Sequence, residues 1–271
     1  MNFYLLLFFL GSLFNNFIFW WSIFLFTSLG FFFYCSILVS QEGILNYFVV
    51  QESLGLLFLV MKSSGLQWMI IMMKMGVSPL IFWIFYLIEN FSSKVLFWFL
   101  TFQKLPFLPI FINFFINFYL FFFFGVMIVY FLVSFTKKLK NLIFLNSTES
   151  FGWAMLLCLF NFSSFFFICI FYFISFYILL ELQIFSLKSI SLELSLFLMN
   201  APFFPSFFVK FFSIGQGSGL IFLVSLLIFM VLSVLSFFFL FFVIFTKISF
   251  SEMYKFKNLI LYYFFFFFVF F

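Results

Sequence analysis

The sequence predicts an all-α polytopic membrane protein with about eleven transmembrane helices in a single transmembrane domain, 1–271. Hydrophobic residues make up 68% of the 271 positions and charged residues only 7%, which leaves too little polar surface for a water-soluble domain. Apolar runs of about twenty residues follow one another along the chain, and a run of that length crosses a hydrocarbon core of about 30 Å.

Polar residues divide the first half of the chain into six predicted helices. The first helix ends at Asn15 and Asn16, and at about thirteen residues it barely spans a bilayer, which leaves its boundary with the second helix open. Residues 40–43 and 89–94 supply further breaks of the kind that polar and glycine residues mark. The six predicted ranges are 2–14, 17–38, 44–62, 66–87, 95–113 and 115–135.

The second half contains five more predicted helices. It opens with a basic loop at 136–141, and glycine and polar residues at 216–219 separate two later helices. Glu149 lies near the predicted start of the seventh helix, in the segment NSTES. The five predicted ranges are 142–160, 162–183, 193–213, 220–245 and 258–271.

The distribution of lysines in the loops predicts the orientation of the chain. The loops after odd-numbered helices carry Lys62 alone. Positive loops stay on the side of the membrane where the chain is made, so the N-terminus is expected on that side. The loops after even-numbered helices carry eight lysines: Lys94, Lys137, Lys138, Lys140, Lys188, Lys247, Lys255 and Lys257.

Three further lysines, Lys74, Lys104 and Lys210, lie within apolar sequence, and all five prolines of the chain lie near them. The prolines are Pro79, Pro106, Pro109, Pro202 and Pro205. An ammonium group in the middle of a membrane helix costs roughly 2.5–3.5 kcal/mol, and a proline frees backbone carbonyls that need new partners. A charge beside a broken helix is typical of a polar cavity or an ion path. The alternative for these lysines is a structural role, satisfied by the freed carbonyls.

Two acidic residues are candidate partners of the buried lysines. Glu52, beside Gln51, is well inside an apolar helix and is a candidate for a proton path, and the alternative is a helix-packing hydrogen bond through either side chain. Burial disfavours the ammonium form of lysine and a nearby carboxylate favours it, so a Lys–Glu couple can exchange a proton when its geometry changes. For Glu149, capping or a role in the first helical turn is at least as expected as a relay.

Several functional classes are excluded by what the sequence lacks. The chain has no histidine, and its three cysteines lie in apolar segments without metal-binding spacing, so neither a metal nor haem is expected. No nucleotide-binding or nucleophile motif is present, and no cofactor is expected. The formal charge of +5 comes from loop lysines and fits orientation in a membrane better than nucleic-acid binding.

Several segments together resemble a known family, the mitochondrially encoded NADH–ubiquinone oxidoreductase chain 2, in particular its nematode form. The segments are NYFVVQESLGLLFL, KMGVSPLIFW, LTFQKLPFLPI, NSTESFGW and APFFPSFFVKFF. Each motif alone is weak, but their order and spacing over roughly 15–245 are specific.

The resemblance implies a proton-translocating subunit in the membrane arm of respiratory complex I, in the mitochondrial inner membrane. The side that the loop lysines predict for the N-terminus is then the matrix. It implies an antiporter-like fold with inverted repeats, approximately 17–135 and 136–246, that contain broken helices. Lys74, Lys104 and Lys210 then match the family's proton-relay lysines. The expected partners are other membrane-arm subunits, including a neighbouring antiporter-like subunit, and phospholipids, while quinone reduction takes place elsewhere in the complex.

One departure from the family pattern affects the function. The family places a glutamate in its second helix, where this chain has Leu25. We therefore expect Glu52 to supply the missing carboxylate and to approach Lys74 or Lys104. Two alternatives remain open: a structural spacer with a degenerate proton path, which the missing acid favours, and a stand-alone cation–proton antiporter, which co-purification with redox subunits would exclude.

Overall fold

A computed structural model describes residues 2–36, 39–114, 119–136, 138–158, 207, 210, 211, 214, 224 and 226–236. All regular structure in these residues is helical. Nine helices are delimited before residue 159, and Leu226–Ser236 is a further short apolar helix. The nine are α1 Asn2–Leu13, α2 Phe17–Cys35, α3 Gln41–Val60, α4 Ser64–Met75, α5 Phe82–Asn90, α6 Ser93–Leu100, α7 Phe107–Phe114, α8 Tyr119–Phe135 and α9 Leu139–Cys158.

Helices α2 and α3 are long and apolar enough to cross a membrane. The predicted helices beyond 159 fall mostly outside the described residues. The chain divides into two compact units, Met1–Val126 and Met127–Phe271.

The boundary between α1 and α2, which the sequence left open, lies at residues 14–16. Asn16 has an extended backbone, and its side chain accepts a hydrogen bond from the Ile18 amide at 3.1 Å. A side-chain oxygen in this position satisfies one of the amides left over at the start of a helix. Asn16 therefore caps α2 and separates it from α1.

Helix α3 begins earlier than predicted. Residues 41–43, predicted as a break, form its first turn, while Ser40 precedes the helix in an extended conformation. The carboxylate of Glu42 falls in this first turn, where negative charge is favourable next to the helix dipole. The polar residues at this point start a helix and do not form a loop.

The predicted helix 66–87 is interrupted near Pro79, as expected. Helix α4 ends at Met75, and Gly76 follows with φ +64°. The Val77 amide donates to the Met72 carbonyl oxygen and the Gly76 amide donates to the Met73 carbonyl oxygen, each at 3.1 Å. These two bonds are the pattern of a Schellman motif. The chain resumes as α5 only at Phe82.

The predicted helix 95–113 is interrupted around Lys104, where the nearby prolines indicate a break. Helix α6 ends at Leu100, and turns over 101–106 lead to α7. Pro106 has no amide hydrogen, and its ring disfavours helical geometry at Leu105. The break therefore includes Lys104.

The prediction of a helix over 142–160 is wrong at its start. Helix α9 begins at Leu139, within the predicted basic loop 136–141. Lysine is a good helix former, so the basic residues there do not prevent the helix from starting. This shift moves every later residue of α9 further from its N-terminus than the sequence suggested.

The unit Met1–Val126 is held together by aromatic packing between its helices. Phe31 of α2 and Tyr47 of α3 have ring centroids 4.6 Å apart. The ring of Phe24, also on α2, lies 5.1 Å from that of Phe58 and is stacked at 5.0 Å on that of Phe107. These contacts join α2 to α3 and α7. The two helix breaks, at 76–81 and 101–106, lie close to this aromatic core.

The outward faces of this unit carry large apolar side chains. Phe33 on α2 and Val60 on α3 are each 70% exposed. Exposed apolar area on this scale is unfavourable in water and marks surfaces that lipid or another protein covers.

Candidate functional site

Lys74 is buried at the end of α4, where the helix stops. Its side chain is 2% exposed, and its ammonium group donates to the Gln51 carbonyl oxygen at 2.6 Å. In return, the Gln51 side-chain amide donates to the Lys74 carbonyl oxygen at 3.1 Å. The predicted helix-packing role of Gln51 is therefore present, and it fixes the end of α4 against α3.

Gly55 on α3 lies next to the Lys74 ammonium group. A Cβ atom at Gly55 would lie 3.4 Å from Lys74 Nζ and 3.6 Å from the indole nitrogen of Trp21. The Phe24 ring centroid lies 5.2 Å from the same Nζ, so the ring face also contacts the cation. The ammonium group thus lies against both α2 and α3.

Glu52 lies on α3 next to Gln51 and is half-buried. Its carboxylate accepts a hydrogen bond from the Ser28 hydroxyl on α2, and the Leu25 carbonyl oxygen lies 2.9 Å from the same hydroxyl oxygen, so the single hydroxyl hydrogen is shared between the two acceptors. The Glu52 charge acts electrostatically on Lys74. Among the described residues, the direct hydrogen bond of the Lys74 ammonium group is to Gln51.

Lys104 lies in the break between α6 and α7 and is 2% exposed. Its amide bonds the Thr101 carbonyl oxygen at 3.2 Å, and its own carbonyl oxygen accepts from the Phe107 amide at 3.3 Å. Neighbouring Gln103, also buried, donates from its side chain to the Tyr47 hydroxyl on α3. This bond ties the break to the helix that carries Glu52.

Lys210 lies in the second unit and is 1% exposed. It forms a buried ion pair with Glu149 of α9, which is fully buried. Glu149 is in the middle of α9, so the expectation of a capping or first-turn role is wrong. The reason is the early start of α9 at Leu139, which places Glu149 about three turns into the helix.

Aromatic and polar side chains surround this ion pair. The Trp153 indole donates to the Tyr130 hydroxyl at 3.2 Å, and that hydroxyl is also hydrogen-bonded to Glu149. The ring centroids of Phe229 and Trp153 lie 6.5 Å apart, in an edge-to-face arrangement. Sequence reasoning did not identify Tyr130 or Trp153, because a lone aromatic residue in an apolar helix carries no distinguishing pattern.

The structure separates the predicted site residues into two groups. Lys74, Glu52 and Lys104 belong to the first unit, whereas Lys210 belongs to the second and is joined there by Glu149. By contrast, Lys62 and Lys94 are exposed. Pro202 and Pro205, predicted to interrupt the helix of Lys210, lie outside the described residues.

The buried groups in both units are suited to proton exchange. Each unit contains a lysine amine shielded from water and a carboxylate that influences its charge. The described residues contain no group of three or more cysteine, aspartate, glutamate or histidine side chains placed to hold a metal ion.

Comparison with known proteins identifies relatives in two nematodes. NADH-ubiquinone oxidoreductase chain 2 of Caenorhabditis elegans is 42% identical over 212 residues, which cover 76% of this chain and 74% of that protein. The protein of the same name from Ascaris suum is 37% identical over 204 residues, covering 74% of this chain and 68% of that protein. No family model matches the chain.

Proposed function

The chain belongs to the NADH-ubiquinone oxidoreductase chain 2 family, and we propose that it translocates protons in the membrane arm of respiratory complex I. Membership confirms the family and its nematode form predicted from the sequence motifs. The observation that carries the proposal is the burial of Lys74 and Lys104 at two helix breaks. Lysine in an apolar interior is unfavourable and is retained mainly where it has a function.

In this proposal the buried lysines take up and release protons in turn, with redox chemistry elsewhere in the complex as the driving force. Removing an amine from water favours its neutral form, and a carboxylate nearby favours its charged form. A change in the distance between the two groups then moves a proton. The relay residues are Lys74, Lys104 and Lys210, with Glu52 as the carboxylate that acts on Lys74.

The position of Glu52 supports its proposed role as the substitute for an acid at Leu25. The Ser28 hydroxyl oxygen lies within hydrogen-bond distance of both the Glu52 carboxylate and the Leu25 carbonyl oxygen. The carboxylate therefore lies beside the turn of α2 on which the family places its glutamate. A spacer with a degenerate path has no need of a carboxylate at this point, and this favours the relay over the spacer.

The surface and the charge distribution suggest the surroundings of the chain. We propose a multi-pass protein of the mitochondrial inner membrane, with its N-terminus in the matrix and its positive loops on that side. The exposed apolar faces of α1, α2 and α3 would contact phospholipid or neighbouring membrane-arm subunits, including an antiporter-like one.

Replacing Glu52 with glutamine tests this assignment. Glu52→Gln keeps a hydrogen-bond acceptor for Ser28 but removes the charge that acts on Lys74. We expect the assembled complex to pump protons severalfold more slowly, measured with a pH indicator inside vesicles that contain complex I and are supplied with NADH and ubiquinone.

The matched control is Glu42→Gln, which removes an exposed carboxylate from the first turn of the same helix. Its pumping rate should equal that of the wild type. Equal rates for Glu52→Gln and the wild type would assign Glu52 to helix packing and leave the first unit's relay to its lysines.

A further inference from the structure

Glu149 is a buried acid that the relay described above does not use. It lies in the middle of α9, and no part of its side chain is exposed. An isolated carboxylate in such a place would carry a desolvation cost of several kcal/mol. Its contacts must therefore compensate for the loss of water.

The ion pair with Lys210 supplies the main compensation. Lys210 is also buried, so the attraction between the two charges is screened little by solvent. The pair is neutral overall, which allows both residues to remain charged in an apolar interior.

Tyr130 is a second partner of the carboxylate. An indole nitrogen only donates, so the tyrosine oxygen accepts from Trp153 and its own hydrogen is left to donate to the Glu149 carboxylate. Trp153 is one helical turn after Glu149 and faces the same way. The cluster thus fixes the position of the carboxylate as well as its charge.

We propose that Glu149 is the charge partner that controls proton release from Lys210, and that Tyr130 is the positioning residue for its carboxylate. This inference rests on the proposed function, since it concerns how one of the relay lysines is switched. It gives the second unit a Lys–Glu couple of its own, built on α9.

The proton step that this arrangement controls is simple. With the pair closed, Lys210 holds its proton because the carboxylate stabilises the ammonium form. When the pair opens, an N–H bond of the ammonium group breaks, the proton forms an O–H bond with a water molecule, and a neutral amine remains. Uptake of a proton from water on the other side reverses these bonds and lets the pair close.

The test uses assembled complex I in vesicles with a trapped pH indicator, supplied with NADH and ubiquinone. Glu149→Gln keeps the size and hydrogen bonding of the side chain and removes its charge, so pumping should fall about tenfold or more. Glu149→Asp should retain part of the rate, and Tyr130→Phe should lower pumping without loss of assembly. The matched control is Ser150→Ala, because the Ser150 hydroxyl bonds only backbone of its own helix in the described contacts.

The outcomes separate this inference from the proposed function. Wild-type pumping by Glu149→Gln together with lost pumping by Lys210→Met would overturn the role of Glu149 and leave the relay standing. Wild-type pumping by both variants would overturn the role of Lys210 as well.

A double variant covers the case in which Glu149→Gln does not assemble. Removing one member of a buried ion pair leaves an uncompensated charge, whereas removing both is often tolerated. Assembly restored by Glu149→Gln with Lys210→Met would support the pairing, and assembly still lost would assign Glu149 to helix packing and overturn the proposal.

Discussion

Replacing Lys104 with methionine should reduce proton pumping and coupled NADH oxidation about tenfold or more in complex I that still assembles. Methionine is unbranched and flexible, so it can fill the space of the lysine stem. It has no proton to exchange. Lys104 is 2% exposed in the break between α6 and α7, so no bulk water is in contact with that position to replace its amine.

Lys94→Met is the control for Lys104→Met. Lys94 is exposed in the first turn of α6, the helix that leads into the same break. Its loss should leave pumping at the wild-type rate. Full pumping by assembled Lys104→Met would remove Lys104 from the relay.

Replacing Lys74 with methionine should have a comparable effect, about tenfold or more on pumping. The variant loses the hydrogen bond from Nζ to the Gln51 carbonyl oxygen. The reverse bond, from the Gln51 side chain to the Lys74 backbone, remains and keeps α4 against α3. Assembly should therefore survive, and the amount of intact complex is measured by native gel electrophoresis.

Lys62→Met controls for the loss of a positive charge near the same helix. Lys62 is exposed just before α4. A lysine in this position is expected to extend to the lipid headgroups, so the control should pump normally. An assembled Lys74→Met complex that pumps as fast as Lys62→Met would favour the spacer over the relay.

Local sequence patterns were enough to locate the lysine sites. Lys74 and Lys104 were recognisable because a charge in apolar sequence beside a proline has few structural explanations. The break at Pro79 was predicted for the same reason. The hydrogen bond from Ser28 to Glu52 could not be read from the sequence, since it depends on the rotation of α2 against α3.

The role of Glu149 was not predictable from local pattern. The segment NSTES has the polar composition of a helix start, and the preceding lysines resemble a loop. Only the start of α9 at Leu139 shows that Glu149 is mid-helix. Its partner Lys210 is distant in sequence, and such a contact is set by packing between helices, which no residue spacing reveals.

The break around Lys104 was predicted in kind but not in extent. Pro106 and Pro109 indicated a broken helix beside Lys104, but not the residue at which the helix would stop. The turns begin at residue 101, before either proline. Tertiary contacts such as that of Gln103 with the Tyr47 hydroxyl hold these turns in place, and sequence spacing does not indicate them.

The central claim, that protons pass through the buried lysines, is tested most directly by the water structure of the assembled complex. A density map that resolves ordered water should show a chain of water molecules joining Lys74 to Lys104, with Glu52 at one side of it. Such a chain lets protons move between groups that do not touch. A map with both ammonium groups packed in dry apolar surroundings, and no water between them, would contradict the account.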